Sequence, residues 1–305
     1  MSSLVVVDDP ADWPGSGKVP TPTSTRPMTA SSTAPAWLGQ PPEHAHQPAL
    51  RRRQEFTQLH AAVRLVLPIL PALAASSPYA DGRWTGFADY RMEACRGHQA
   101  SLPASMGRLI PNPAGSPAAC RTKVLAPMYR QLATREEHGG PKGVLRHEWL
   151  NARAAIPRFE GNAIEIRVAD VQECPQADLA VAAAAIALIQ RLYEAGPAWL
   201  ATRGALETRV LADILERCIR DAEQASIEEP RYVALLGLAG HPCRARELWA
   251  RLLDELTGNG LLAPGWAPLA LIVERGPLAR RLIDTLGEAP SRDALHATYD
   301  DVCLC

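Results

Sequence analysis

The sequence predicts an α+β fold in which a small antiparallel sheet packs beside helices, with a helical C-terminal half. The sheet is indicated by residues 162–170, where apolar and polar side chains alternate at the period of a half-buried strand. A second strand over 154–159 precedes it by only a few residues, which is typical of an antiparallel hairpin. After residue 177 the apolar residues follow helical spacing almost to residue 305. Strands followed by a run of helices are the α+β pattern.

The first 53 residues differ in composition from the rest. Nine of the 27 prolines fall in residues 1–50, among Ser, Thr, Gly and Ala, with almost no apolar periodicity. Such a stretch cannot bury enough apolar surface to offset the entropy lost on ordering it. We therefore predict a disordered Pro-rich tail over 1–53 and a folded domain over 54–305.

Within the predicted domain, the first helix spans about 54–75 and should kink or end early, because Pro68 and Pro71 lie inside it. Residues 76–121 carry many turn signals, and 118–132 predicts a short helix. Further helices are predicted at about 177–195, 206–224, 229–237, 243–257, 266–286 and 291–303. Gly276-Pro277 should interrupt the fifth of these.

Charge and composition exclude several classes of protein. Lys+Arg is 32 and Asp+Glu is 33, so the net charge of −1 provides no overall basic field for nucleic acid. The longest uninterrupted apolar runs have eleven residues, whereas a membrane span needs roughly 20. Seven dispersed cysteines without a CxxC pair do not form a disulfide framework. We predict a cytoplasmic protein with reduced thiols that binds neither nucleic acid nor a membrane.

The strongest candidate for chemistry is the pair Glu165 and Arg167. Residues i and i+2 of a strand point to the same face about 6.5–7 Å apart, so a carboxylate and a guanidinium stand side by side. This arrangement suits a metal-bound polyphosphate, with the carboxylate on Mg²⁺ and the guanidinium on phosphate oxygens. An ion pair on a solvated sheet face is the alternative, and the spacing alone favours it.

Two further groups of polar residues lie near this pair in sequence. The first comprises Glu148, Asn151, Arg153, Arg158, Asp170 and Glu173. These could line one cleft, or they could form a network of surface ion pairs. The second is the small-residue segment from Ser76 to Arg91. Small residues permit close backbone approach to a ligand, and Arg91 could hold a carboxylate or phosphate; a turn with a surface arginine is the alternative.

Three ordered blocks resemble a known family. They are Leu67–Tyr79, continued by Gly82, Thr85-Gly86 and Tyr90-Arg91; Glu148–Arg153; and Ala163–Pro175. Together they resemble the second family of glutamate–cysteine ligases, the carboxylate–amine ligases, over about residues 55–300. The third block is the most specific.

The resemblance implies an ATP-dependent ligase that joins the γ-carboxylate of glutamate to the amine of cysteine, or another amine, through an acyl phosphate. This reaction belongs to glutathione biosynthesis. It implies the curved antiparallel sheet of glutamine synthetase and glutamate–cysteine ligase, with ATP and Mg²⁺ as cofactors and a possible homo-oligomer. By motif, Glu165 resembles a metal ligand. Arg167 and Arg91 resemble catalytic, phosphate- or substrate-facing arginines, and Asn151 and Arg153 resemble substrate- or nucleotide-binding residues.

The chain departs from the family pattern at its N-terminal end. Family members begin with a strand that carries a Glu-x-Glu metal-binding pattern, and residues 1–53 do not resemble it. We therefore expect a partial ligase-like domain, with weak or no activity of these 305 residues alone. A catalytically inactive fragment or a non-catalytic interaction protein of the same fold is the alternative.

Overall fold

The computed structural model describes residues 4–7, 48–98, 101–137, 148–196 and 206–303. The helices are α1 Pro48–Val66, α2 Pro71–Ala74, α3 Tyr90–Gly97, α4 Pro103–Met106, α5 Pro117–Cys120, α6 Ala126–Glu137, α7 Pro175–Glu194, α8 Thr208–Asp221, α9 Pro230–Leu235, α10 Ala245–Gly258, α11 Ala267–Arg275, α12 Leu278–Leu286 and α13 Arg292–Cys303. The strands are β1 Leu4–Val7, β2 Tyr79–Ala80, β3 Arg83–Trp84, β4 Ala155–Arg158, β5 Ala163–Ile166, β6 Ser226–Ile227 and β7 Cys243–Arg244. Helices with small antiparallel sheets form an α+β fold, as predicted.

The helix boundaries follow the breaking residues that the sequence shows. The predicted first helix is divided into α1, a 3₁₀ turn over Leu67–Ile69 and α2, because Pro68 and Pro71 cannot donate a backbone hydrogen bond. Gly276, with φ of 87°, separates α11 from α12. The predicted 118–132 helix is also interrupted, since a π-helical turn over Arg121–Leu125 joins α5 to α6.

The main sheet has three antiparallel strands in the order β1-β5-β4. Strands β4 and β5 form the predicted hairpin, with Ile156 opposite Glu165. A 3₁₀ turn over Phe159–Gly161 and the left-handed Asn162, with φ of 43°, connect them. A one-residue left-handed step of this kind suits Asn, whose short polar side chain tolerates positive φ.

Strand β1 is a difference from the sequence prediction. Leu4–Val7 lies inside the predicted disordered tail, yet it pairs along the whole length of β5. Helix α1 likewise begins at Pro48, five residues before the predicted end of the tail. A run of four apolar residues with high β-propensity is too short to predict a strand within a Pro-rich segment. Residues 8–47 lie outside the described residues, so disorder there stays a prediction.

The core lies between α1, the Pro-containing turn and the C-terminal helices. Its largest fully buried side chains include Trp249 on α10 and Tyr232 on α9. Trp249 donates through Nε1 to the carbonyl of Ile69 at 2.7 Å, and Tyr232 donates through its hydroxyl to the carbonyl of Leu65 at 2.7 Å. Two helices of the C-terminal half are thereby bonded to the broken helix. In the described part of the chain, no helix is both long and apolar enough to cross a bilayer.

Candidate functional site

The face of the hairpin that carries Glu165 is partly enclosed. Ile164 and Ile166, on the opposite face of β5, are 2% and 0% exposed, which confirms the alternation that the sequence predicts. Ile156 lies directly across from Glu165 on the same face and is fully buried. The polar residues therefore stand at the margin of the core rather than on an open sheet surface.

Four side chains of alternating charge meet on this face, and we call them the charge network: Glu148, Arg158, Glu165 and Arg167. Arg167 Nε lies 3.1 Å from Glu165 Oε1, and Arg158 Nη1 lies 3.5 Å from Glu165 Oε2. Arg158 Nε also lies 3.6 Å from Glu148 Oε1. The exposed fraction of the four side chains runs from 14% for Glu165 to 36% for Arg158. Partial burial reduces solvent screening, so these pairs interact more strongly than surface pairs.

Asn151 and Arg153 lie beneath the charge network and not in an open cleft. They are 2% and 6% exposed. Arg153 Nη1 donates to Asn151 Oδ1 at 2.8 Å and to the carbonyls of Ala104 and Ser105 at 3.1 and 3.2 Å. Burial lowers the pKa of Arg153. The structure thus gives both residues internal partners, and their assignment to substrate or nucleotide binding stays a prediction.

The backbone at Gly107 packs closely against the Arg153 guanidinium. Its φ of 55° favours glycine. A Cβ at this position would lie 2.8 Å from Arg153 Nε, closer than any normal contact. The backbone therefore passes directly over a buried guanidinium. The positive φ favours glycine, and a side chain at this position would displace the Arg153 guanidinium.

Arg91 is joined to the segment that follows β5. Its Nε donates to Asp170 Oδ1 at 2.8 Å, and its Nη1 and Nη2 donate to the carbonyls of Arg167 and Val168, both at 3.0 Å. The remaining predicted carboxylate, Glu173, instead pairs with Arg281 on α12. Of the predicted residues, the charge network and Arg91 thus meet around β5, and Glu173 faces the helical half. A substrate-facing role for Arg91 stays a prediction.

Sequence reasoning missed several buried polar residues. Asp89 is fully buried and caps α3 by accepting from the Met92 amide at 3.0 Å. Desolvation raises the pKa of Asp89 to about 7. His60 in α1 is 3% exposed and stacks on Phe56, and desolvation lowers its pKa to about 3. An Asp directly before a helical pattern is a capping signal that could have found Asp89, whereas spacing alone does not distinguish a buried histidine from a surface one.

The described residues do not by themselves form a metal site. Among them, no group of three or more His, Cys, Asp or Glu side chains is arranged to hold an ion. Glu165 and Glu148 both contact Arg158, so each carboxylate is already compensated by a guanidinium. Two surface depressions lie away from the network, one beside Trp84 and Tyr90 and the other beside Arg108. The arginines fit a phosphate, but the carboxylates present do not complete a Mg²⁺ site.

Comparison with known proteins places the sequence in a family. The model of glutamate–cysteine ligase family 2 matches residues 46–225, which include the charge network, Arg91 and the hairpin. An uncharacterized protein of Archaeoglobus fulgidus is 29% identical over 192 residues, covering 61% of this chain and 50% of the relative. The chain therefore spans about half the length of the curated relative it matches. Because the family model covers more than half of the sequence, the chain belongs to glutamate–cysteine ligase family 2.

Proposed function

We propose that this chain takes part in ATP-dependent ligation of the γ-carboxylate of glutamate to the amine of cysteine, a reaction of glutathione biosynthesis, in the cytoplasm. The observation that carries the proposal is the contact of Glu165 with Arg167 on one hairpin face, inside the segment that matches the family. In the first step a γ-carboxylate oxygen attacks the γ-phosphorus of ATP and ADP leaves. In the second step the amine nitrogen attacks the acyl carbon, loses a proton and displaces phosphate.

The guanidinium groups of the charge network are the groups best suited to the phosphoryl group. Arg167 and Arg158 approach Glu165 from two sides, at 3.1 and 3.5 Å. Guanidinium N–H groups match the oxygens of a phosphate as well as those of a carboxylate. Glu165 therefore holds both arginines in place before the nucleotide binds, and a phosphate then competes for the same donors. Preorganised charges of this kind stabilise the charge that develops during transfer.

We also propose that Glu165 is a ligand of Mg²⁺, on the condition that other groups complete the coordination of the ion. Magnesium requires several oxygen ligands in near-octahedral geometry, and the described residues offer no complete set. Further oxygen ligands must come from waters, from ATP and from protein outside the described residues. The family also leads us to expect a homo-oligomer, and a second copy of the chain is one source of such protein ligands.

A catalytically inactive protein of the same fold is the second candidate. The charges of the network balance, two negative and two positive, so these four side chains together contribute no net charge that would attract a nucleotide. The chain also spans half of the relative it matches. A chain that binds no nucleotide yet folds stably would fit this candidate.

Nucleotide binding and turnover separate the two candidates. Calorimetry would measure the affinity for ATP with and without Mg²⁺ in the parent chain, in Glu165→Gln and in Arg167→Gln. Glu165→Gln removes one charge and nearly keeps the shape of the side chain, whereas Arg167→Gln removes one charge and also shortens the side chain. For Arg167→Gln, loss of a charge-assisted hydrogen bond is expected to weaken ATP binding by about ten-fold or more. Glu165→Gln is expected to weaken ATP binding only when Mg²⁺ is present, because Glu165 is proposed as a metal ligand. Glu274→Gln, an exposed glutamate on α11, and Arg209→Gln, an exposed arginine on α8, are the matched controls and should bind as the parent does.

Turnover would be measured as ADP release that requires both glutamate and an amine, with cysteine first and other amines next. We expect weak or no release from the chain alone and an increase when the N-terminal half of a complete family member is supplied in trans. Arg167→Gln should remove that increase. Equal ATP affinity in the parent chain and both site variants would contradict the placement of the site. Absence of binding and of turnover in every condition would favour the inactive candidate.

A further inference from the structure

Beyond Ile166 the polypeptide leaves the sheet, and its backbone needs new hydrogen-bond partners. The amide of Arg167 still donates to the carbonyl of Ala154 on the β4 side, at 2.7 Å. The carbonyls of Arg167 and Val168 instead accept from the Arg91 side chain. The Arg91 guanidinium therefore supplies the hydrogen bonds that a neighbouring strand would otherwise give to two successive carbonyls. Its remaining nitrogen, Nε, donates to Asp170 Oδ1.

The base of the Arg91 side chain is itself fixed. Arg91 lies in the first turn of α3, and its amide donates to Ser77 Oγ at 3.3 Å. Asp89, the residue that caps the start of α3, is fully buried, and its amide donates to the carbonyl of Ile219 on α8 at 2.9 Å. Arg91 thus connects a rigid helix start with the four residues 167–170.

We propose that Arg91 and Asp170 are positioning residues that act through Arg167, and that Arg91 does not itself contact the phosphate. This inference rests on the proposed function, because it concerns the arginine assigned there to the phosphoryl group. The nitrogens Nε, Nη1 and Nη2 of Arg91 all face protein acceptors at 2.8–3.0 Å. Its guanidinium holds the backbone of Arg167, while the Arg167 side chain reaches Glu165.

The physical reason is the direction of the Arg167 side chain. Its Cα lies one residue past the last residue of β5, where the amide still bonds to the carbonyl of Ala154 but the Arg167 carbonyl is held by Arg91. A shift of about 1 Å in a positioning group can cost two orders of magnitude in rate. Securing the Arg167 carbonyl fixes the peptide that follows its Cα. Asp170 in turn keeps the Arg91 guanidinium aligned with both carbonyls.

A double-mutant cycle tests whether Arg91 acts through Arg167. The probe is inorganic tripolyphosphate, and the readout is its affinity by calorimetry in Arg91→Lys, Arg167→Gln and the double variant. Lysine keeps the charge but cannot present three donors in a fork. We expect Arg91→Lys to weaken binding by about ten-fold in the parent chain and to have no further effect once Arg167 is Gln. Equal weakening by Arg91→Lys in both backgrounds would show direct contact with the ligand and overturn the proposal.

A second readout needs no ligand and separates this inference from the proposed function. The Nε–H signal of Arg167 in NMR spectra of the free protein should shift in Arg91→Lys and, by less, in Asp170→Asn, which keeps an acceptor oxygen. Arg96→Lys is the matched control, since Arg96 lies on the same helix and pairs with Glu93 and Glu216. An unchanged Arg167 signal in both site variants would overturn the positioning role. A parent chain that binds no tripolyphosphate would count against the proposed function only, because the NMR comparison still decides the positioning role.

Discussion

Glu223 in the helical C-terminal half and the two arginines Arg91 and Arg153 beside the hairpin find partners of different kinds. In the helical half, Glu223 is 2% exposed and is paired side chain to side chain, with Arg280 Nε at 2.9 Å and Arg246 Nη2 at 3.6 Å. In the hairpin region, the guanidiniums of Arg153 and Arg91 donate largely to backbone carbonyls. Helices satisfy their own carbonyls, whereas a short sheet with irregular segments beside it leaves carbonyls that need outside donors. Arg91 and Arg153 therefore serve as backbone donors beside the hairpin. Among the described residues, the helical half uses the same arrangement where a helix ends, as at Arg191, which donates to the carbonyl of Leu236 after α9.

The first prediction tests the helical half through its packing. Trp249→Ala removes a side chain that is 1% exposed, together with its hydrogen bond to Ile69. We expect the free energy of unfolding to fall by about 3–5 kcal/mol, because the cavity adds to the lost burial. Urea unfolding followed by circular dichroism would measure it. Trp249→Phe, which loses the hydrogen bond but keeps most of the packing, should cost clearly less, and an equal cost would contradict the argument from packing.

The second prediction tests the hairpin region through Gly107. Gly107→Ala places a Cβ against the buried Arg153 guanidinium and forces a positive φ on a residue with a side chain. The expected loss of unfolding free energy is about 1–3 kcal/mol. Gly258→Ala is the control, since Gly258 is the last residue of α10 and a Cβ built there would meet open space. If both variants unfold at the same urea concentration, the backbone does not need glycine over Arg153.

The third prediction concerns how the free energy of unfolding changes with pH, and its readout is a slope rather than a single loss of stability. The pKa of Asp89 is about 7 in the folded protein, against 3.8 ordinarily, because the carboxyl is desolvated. Between these values the folded state holds a proton that the unfolded state releases, so this contribution to stability decreases as pH rises from about 4 to 7. Asp89→Asn keeps a capping oxygen and should remove a slope of up to about 1.4 kcal/mol per pH unit.

His60 contributes with the opposite sign over much of the same range. Its pKa is about 3 in the folded protein, against 6.5 ordinarily, because it is buried and lies near Arg64. The unfolded state then takes up the proton first, so this contribution is lost as pH falls below about 6.5. The two slopes oppose each other between about pH 4 and 6.5. Stability against pH should therefore rise more steeply in Asp89→Asn than in the parent, and an unchanged profile would contradict the buried, protonated Asp89. Asp254→Asn, at an exposed site on α10, is the control.

The sequence predicted the helical half more completely than the hairpin region. The 3.6-residue repeat of apolar side chains located α7 to α13 to within a few residues, and the break at Gly276 was read directly. The alternation in β5 identified its buried face and the contact between Glu165 and Arg167. Strand β1 was missed, because its partner strand is about 160 residues away along the chain. A four-residue apolar run does not indicate which strand it pairs with.

Local pattern by itself determined the α+β class, the hairpin, the Pro-broken first helix and the candidate pair on β5. These depend on the chemistry of residues a few positions apart, and the period of the pattern is fixed by helix or strand geometry. Tertiary structure alone decided the partners of Arg91, Arg153 and Glu173. A guanidinium can donate to any carbonyl or carboxylate within reach, so its partner is set by which segments packing brings together. For that reason the sequence could predict residues for the site, but only the folded chain shows that Arg91 holds the backbone of Arg167.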